Sequence, residues 1–229
     1  MRFLLLGSGE FEPWTHVIEE RALGDADGDG SVVILPTASA RDGEAVFERW
    51  GRMGVDHYAE VGRTATALPV RTREDAMRED LAAAAESASM IYCSGGKPQH
   101  LADVLRDTPL LAAITRAMER GAVYAGCSAG AMVASRARDG ARGNSWLFGL
   151  GLVPHASFGA HWDRLRKIPG AAWWMTSRLP DDTWFVGIDE RTAIWGDGTR
   201  WEVAGLGTVH VRRGEEHAVF ATGSIFETG

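Results

Sequence analysis

An apolar run at residues 2–6 breaks at Gly7-Ser8-Gly9-Glu10, and the same figure recurs along the first half of the chain. Short β-type runs at 32–35, 55–61, 90–93 and 122–125 each close on Gly, Pro or Ser, as strands between turns do. Residues 13–23, 43–53, 73–88 and 109–120 read as amphipathic helices between them; in the last, Leu110, Leu111, Ile114 and Met118 share one face. This alternation over residues 1–135 predicts an α/β fold with a mostly parallel central sheet and helices on both faces. Beyond about residue 183 the texture changes to short runs at 184–188, 192–195, 201–206, 208–212 and 218–221, with Gly196-Asp197-Gly198 as a hairpin turn. The expectation is an antiparallel C-terminal strand extension, over 184–221, of a single domain spanning 1–229. In such sheets ligands gather beyond the carboxyl ends of the strands, so the loops after residues 6, 36, 93 and 125 come first.

Composition narrows the class. With 45% hydrophobic and 24% charged residues, the 229-residue chain has the balance of a folded globular protein. A net charge of −7 with no basic run argues against a nucleic-acid partner, while leaving room for a small cationic pocket. The two cysteines, Cys93 and Cys127, lie in apolar stretches, which excludes a disulfide framework and suggests reduced thiols in a cytoplasmic protein. The apolar run at 3–6 is too short for a signal peptide, and no segment approaches the roughly 20 apolar residues of a membrane span.

Gly126-Cys127-Ser128-Ala129-Gly130 carries the most chemistry. It sets Gly-x-Ser-x-Gly between an apolar strand and a helix start, the context of a nucleophile elbow. A sharp strand-to-helix turn strains the serine backbone, so the positions two residues away on either side must lack bulk. Ser128 would project into the crevice, and the free N–H groups of the following helix would face an oxyanion forming there. The plain alternative is a serine that only caps the helix. Cys127 is a rival nucleophile, but an elbow centred on it puts Ala125 and Ala129 where the turn wants glycine.

With this stretch go Leu35-Pro36-Thr37-Ala38-Ser39, Ser94-Gly95-Gly96, Gly149-Leu150-Gly151-Leu152-Val153-Pro154 followed by His161, and Gly187-Ile188-Asp189-Glu190-Arg191-Thr192-Ala193. In order and spacing these pieces resemble the family of serine peptidases that contains aspartyl dipeptidase (peptidase E) and cyanophycinase. The resemblance implies a class I glutamine amidotransferase-like fold, no cofactor or metal, and a catalytic triad of Ser128, His161 and Glu190. Ordinary α/β-hydrolases place the histidine last, so chain order separates the two readings. His210 and His217 are late enough for that rival order, but lie in the strand-turn texture of the tail, where exposed edge positions are expected.

A serine hydroxyl attacks usefully only when an imidazole takes its proton, and that imidazole needs an acid to fix its tautomer. His161 sits in a loop entering a short polar helix, and His155, six residues earlier, is the alternative base. The two histidines lack further ligands at a recognised metal spacing. Glu190 follows a strand-like stretch; Asp189 beside it points to the opposite face if the strand continues, so only one of the two reaches His161. The oxyanion hole is expected from the N–H groups of Ala129 and Gly96, the latter in a loop whose paired glycines allow close approach.

Substrate contacts are expected from Lys97 and Gln99 beyond the Gly-Gly loop, and from Arg164 and Arg166, which could pair with a substrate carboxylate. The chain departs from the resembled family at Pro98, where a polar side chain is usual. Two decoys remain. Asp25-Ala26-Asp27-Gly28-Asp29-Gly30 imitates a calcium loop but reaches Pro36 where the bidentate Glu belongs, and Gly7-Ser8-Gly9 imitates a dinucleotide fingerprint but has Glu12 at the third glycine. Nine tryptophans, among them Trp173-Trp174, exceed the needs of such a core; burial, a pocket mouth or a subunit contact would use them. The expected activity is a serine peptidase acting on a small aspartyl or β-aspartyl peptide through an acyl-enzyme. An esterase-like hydrolase and a noncatalytic binding protein are the alternatives, and a homodimer is open.

Overall fold

The computed structural model describes residues 1–137, 149–177 and 179–229. Its elements run β1 (Arg2–Leu6), α1 (His16–Gly24), β2 (Val32–Leu35), α2 (Glu44–Glu60), β3 (Ala65–Ala67), α3 (Arg73–Ala76), α4 (Glu79–Ser87) and β4 (Met90–Cys93). There follow α5 (Pro98–Leu105), α6 (Pro109–Glu119), β5 (Val123–Cys127), α7 (Ala129–Val133), β6 (Ala156–Gly159), α8 (Trp162–Leu165) and α9 (Ala171–Thr176). The chain ends through β7 (Trp184–Ile188), β8 (Thr192–Gly196), β9 (Arg200–Gly205), β10 (Thr208–Arg213), β11 (Glu216–Ala221) and β12 (Ile225–Glu227).

An eight-stranded sheet in the order β12-β9-β8-β1-β5-β4-β2-β3 forms the centre, and its β1-β5-β4-β2-β3 portion is parallel throughout. Alternate residues of these strands face opposite cores. Phe3, Leu5, Val33, Leu35, Ile91 and Tyr124 join Leu81, Leu101 and Leu110 from α4, α5 and α6. Leu4, Leu6, Val32, Ile34, Met90 and Val123 meet Ile18 and Leu23 from α1 and Tyr58 from α2. Both faces being covered explains why these strands read as unbroken apolar runs.

The C-terminal strands divide between two sheets. β8 pairs antiparallel with β1 and carries β9 and β12 to the edge of the large sheet. β7, β10 and β11 instead belong to a second sheet in the order β11-β10-β7-β6, in which β6 and β7 are parallel. One face of that sheet joins the large core through Phe158, Val186, Val209 and Val211, and Phe185 packs on Trp162 and Met175 from α8 and α9.

The expected strand at 55–61 is helical instead, as the second half of α2. Its buried positions, Phe47, Gly51, Gly54, His57 and Tyr58, form a helical stripe, and a Cβ at Gly51 or Gly54 would lie 2.9 Å from Ala67 or from the Phe11 ring. The helix therefore rests directly on the sheet, and the third strand is the short β3. The helix expected at 73–88 is broken into α3 and α4, and α5 and β6 form where no element was expected. Pro98, the departure from the resembled family, occupies the first turn of α5, where a missing N–H is harmless. Among the described residues no helix is long and apolar enough to cross a membrane, and no three metal-ligating side chains converge.

Candidate active site

β5 delivers the chain to Ser128 at φ 50 and ψ −107, and α7 starts at the next residue. Such a backbone is costly for a non-glycine residue and persists only when its surroundings hold it. Here they do. The Ser128 N–H donates to the Leu6 carbonyl at 3.0 Å, and the Ser128 carbonyl accepts from Met132 N–H at 2.9 Å. A Cβ on Gly126 would stand 2.5 Å from the Gly130 backbone, and one on Gly130 would stand 1.9 Å from the Cys93 carbonyl oxygen. Both outer glycines of the elbow are therefore required by close approach of backbone.

The imidazole comes from the other sheet. His161 follows β6 in a left-handed conformation, φ 51 and ψ 37, and its carbonyl accepts the N–H groups of Arg164 and Leu165, each at 3.0 Å. Its Nε2 lies 2.9 Å from Ser128 Oγ, and its Nδ1 lies 3.0 Å from Glu190 Oε1. With the Nδ1 proton held by the carboxylate, Nε2 is free to accept from the serine hydroxyl. Glu190 is gripped from α8: its backbone N–H donates to Asp163 Oδ1 at 3.0 Å, and its Oε2 pairs with Arg164 at 2.8 Å. Asp189 turns away, its Oδ2 accepting from the Thr208 hydroxyl at 2.6 Å.

The Gly-Gly loop lies beside the serine. A Cβ on Gly95 would be 3.4 Å from Ser128 Cβ. Gly96 is exposed at φ 141, and a Cβ there would strike the Ala38 backbone at 2.5 Å, so the 37–39 loop admits only glycine. The N–H of Ala129 starts α7, where no intrahelical acceptor exists for it.

The remaining expected contacts scatter. Lys97 Nζ pairs with Asp42 at 2.8 Å, and Gln99 donates to Asp103 at 2.8 Å along the exposed side of α5. Arg164 is engaged with the triad carboxylate. Arg166 lines a cavity of about 420 Å³ with Trp162, His210, Glu215 and His217. His155 is elsewhere, its Nε2 bonded to the Gly198 carbonyl at 2.9 Å, and His210 stacks on His217. Of the tryptophans, Trp201 is fully buried while Trp173 is 69% exposed. In the calcium-like turn, Asp29 accepts from the Ser31 backbone and hydroxyl.

Cys127 is buried, and its thiol donates to Glu10 Oε2 at 2.9 Å. Burial and the Glu10 carboxylate push the thiol well above its ordinary range, which keeps it protonated and a poor nucleophile. Glu10 and Asp163 are the residues near the site that sequence reasoning missed. The signal for Glu10 was a lone acid inside a Gly-rich turn after the first strand, which reads equally well as a solvated turn residue.

A model of peptidase family S51 matches residues 3–204. A cyanophycinase of Geminocystis herdmanii (strain PCC 6308) is 29% identical over 228 residues, covering 93% of this chain and 80% of the relative. A cyanophycinase of Synechococcus elongatus is 32% identical over 199 residues, covering 80% of this chain and 58% of the relative. The crystal structure of a peptidase from an acI-B1 Actinobacterium superposes with a TM-score of 0.88 at 31% identity, covering 99% of this chain and 96% of that one.

Proposed function

The chain belongs to peptidase family S51 and is a serine-type peptidase, and on that premise we propose that it hydrolyses short aspartyl or β-aspartyl peptides through a Ser128-His161-Glu190 triad. What carries the reading is the continuous hydrogen-bonded line from Ser128 Oγ through the imidazole to Glu190, with separations of 2.9 and 3.0 Å, starting from a serine held at positive φ.

In the proposed reaction His161 Nε2 takes the hydroxyl proton as Ser128 Oγ bonds to the carbonyl carbon of the scissile peptide. The carbonyl electron pair moves onto oxygen, where the N–H groups of Gly96 and Ala129 receive it. His161 then hands its proton to the departing amine, the C–N bond breaks, and the acyl group stays on Ser128. Water repeats the sequence, its proton passing through His161 back to the serine as the acid is released. Glu190 holds the Nδ1 proton and stabilises the transient imidazolium.

Of the three cations expected at the substrate, Arg164 and Lys97 are engaged with Glu190 and Asp42, which leaves Arg166, at the end of α8, for the substrate's carboxylate. Two buried free thiols suit a cytoplasmic setting. The test is turnover of Asp-x dipeptides, β-aspartyl dipeptides and short acyl esters by wild type and Ser128→Ala. The expected result is peptide turnover that falls by about 10⁴–10⁶ in the variant, with fluorophosphonate labelling lost in parallel. Turnover confined to the esters would replace the peptide assignment with an esterase. Undiminished turnover by Ser128→Ala would remove the triad.

A further inference from the structure

The triad leaves unused a carboxylate directly beneath it. Glu10 follows β1 in a turn where Gly9 and Phe11 both adopt positive φ, 77 and 60, and only 8% of its surface is exposed. A phenylalanine in that conformation is strained, and it is held by burial against Tyr92, with ring centroids 4.8 Å apart. The result of the forced turn is that the Glu10 side chain points inward. Its Oε1 accepts the Gly95 N–H at 2.8 Å and its Oε2 accepts the Cys127 thiol at 2.9 Å.

Those two donors belong to different parts of the site. Gly95 precedes Gly96, the proposed oxyanion donor from the loop after β4, and Cys127 precedes Ser128 on β5. A buried carboxylate is expensive unless hydrogen-bonded, so packing alone would be served better by an apolar residue. We infer that Glu10 is a positioning residue that ties the Gly95-Gly96 loop to the nucleophile elbow, fixing the oxyanion-binding N–H of Gly96 relative to Ser128 Oγ. The inference rests on the triad reading above, because it gives Glu10 a role only if an oxyanion forms beside Ser128.

A loosened oxyanion site weakens binding of the transition state more than binding of substrate, so its loss falls on kcat and spares KM. Glu10→Ala removes both acceptors. Glu10→Gln keeps an acceptor oxygen for the Gly95 N–H, and Glu10→Asp keeps the charge but draws it back by one methylene. Each variant is assayed with the best dipeptide of the panel, and kcat is divided by the fraction of protein that fluorophosphonate labels at end point, which removes any misfolded protein from the comparison. The expected result is a fall in normalised kcat of about 10–100-fold for Glu10→Ala, KM within about threefold, and recovery to within about threefold of wild type in Glu10→Gln. Should the alanine variant fail to fold, Glu10→Asp carries the same expectation of lowered kcat at constant KM. Normalised kcat at the wild-type level in Glu10→Ala, or in Glu10→Asp where that variant carries the test, would overturn the role, as would a glutamine variant no better than alanine. Wild-type turnover by Ser128→Ala measured alongside would instead overturn the triad, so the two failures are told apart.

Discussion

The elbow on β5 and the histidine-carboxylate pair on the second sheet solve the same placement problem by different means. Ser128 is set by its immediate neighbours: two glycines in five residues let backbone meet backbone at distances that no side chain tolerates. His161 and Glu190 are set by strand pairing. β6 and β7 run parallel with Gly159 opposite Gly187, and the two side chains arise just past the carboxyl ends of these neighbouring strands. They are then held by α8, whose Trp162 indole lies on Gly187, where a Cβ would be 2.5 Å from the ring, and whose Asp163 and Arg164 bind Glu190. A nucleophile can thus be built from local strain, whereas its proton relay has to be assembled from elements that the second sheet brings together.

Three substitutions sharpen this contrast. The largest effect is expected from Gly130→Ala, whose methyl would sit 1.9 Å from the Cys93 carbonyl, a backbone atom that cannot give way. The expected cost is about 3 kcal/mol or more in urea unfolding, together with loss of fluorophosphonate labelling; a stable, labelled variant would show that the turn needs less closeness than the backbone implies. Gly187→Ala should be milder, because the obstructing atoms belong to the Trp162 side chain. It should destabilise by about 1–3 kcal/mol and lower kcat by about 10–100-fold through displacement of His161, measured with the dipeptide of highest turnover. A pure stability loss with normal kcat per folded molecule would uncouple α8 from the relay. The smallest effect belongs to Arg164→Gln. The Arg164 side chain is 72% exposed, and an exposed pair contributes at most about 1 kcal/mol, so kcat should drop by no more than about fivefold. A rise in KM of a hundredfold would assign Arg164 to the substrate instead of to Glu190.

The parallel strands were legible because burial on both faces leaves continuous apolar runs, and the elbow was legible because its glycines answer to each other within five residues. Residues 55–61 misled for a related reason: Val55, Tyr58 and Val61 fit a strand as well as the end of a helix, and Gly51 and Gly54, which mark the helical contact face, look like breakers until the sheet lies against them. Alternating strand faces do not decide between Asp189 and Glu190, because β7 stops at Ile188; Asp189 bonds Thr208 and Glu190 bonds His161, partners that the chain order does not reveal. Arg164 and Gln99 were expected at the substrate from their place in the chain, which does not reveal that Arg164 pairs with Glu190 and Gln99 with Asp103.

Taken alone, the order of residues determined the alternating strand-helix architecture and the identity of the strained serine, because both are written in short-range patterns of apolar, small and glycine positions. Tertiary structure decided that His161 rather than His155 meets that serine, that Glu190 rather than Asp189 meets His161, and that Glu10 joins two loops from different strands. The physical reason is that hydrogen bonds act over about 3 Å, whereas these partners lie tens of residues apart and are brought within reach only by parallel register, sheet division and the packing of a short helix on glycine.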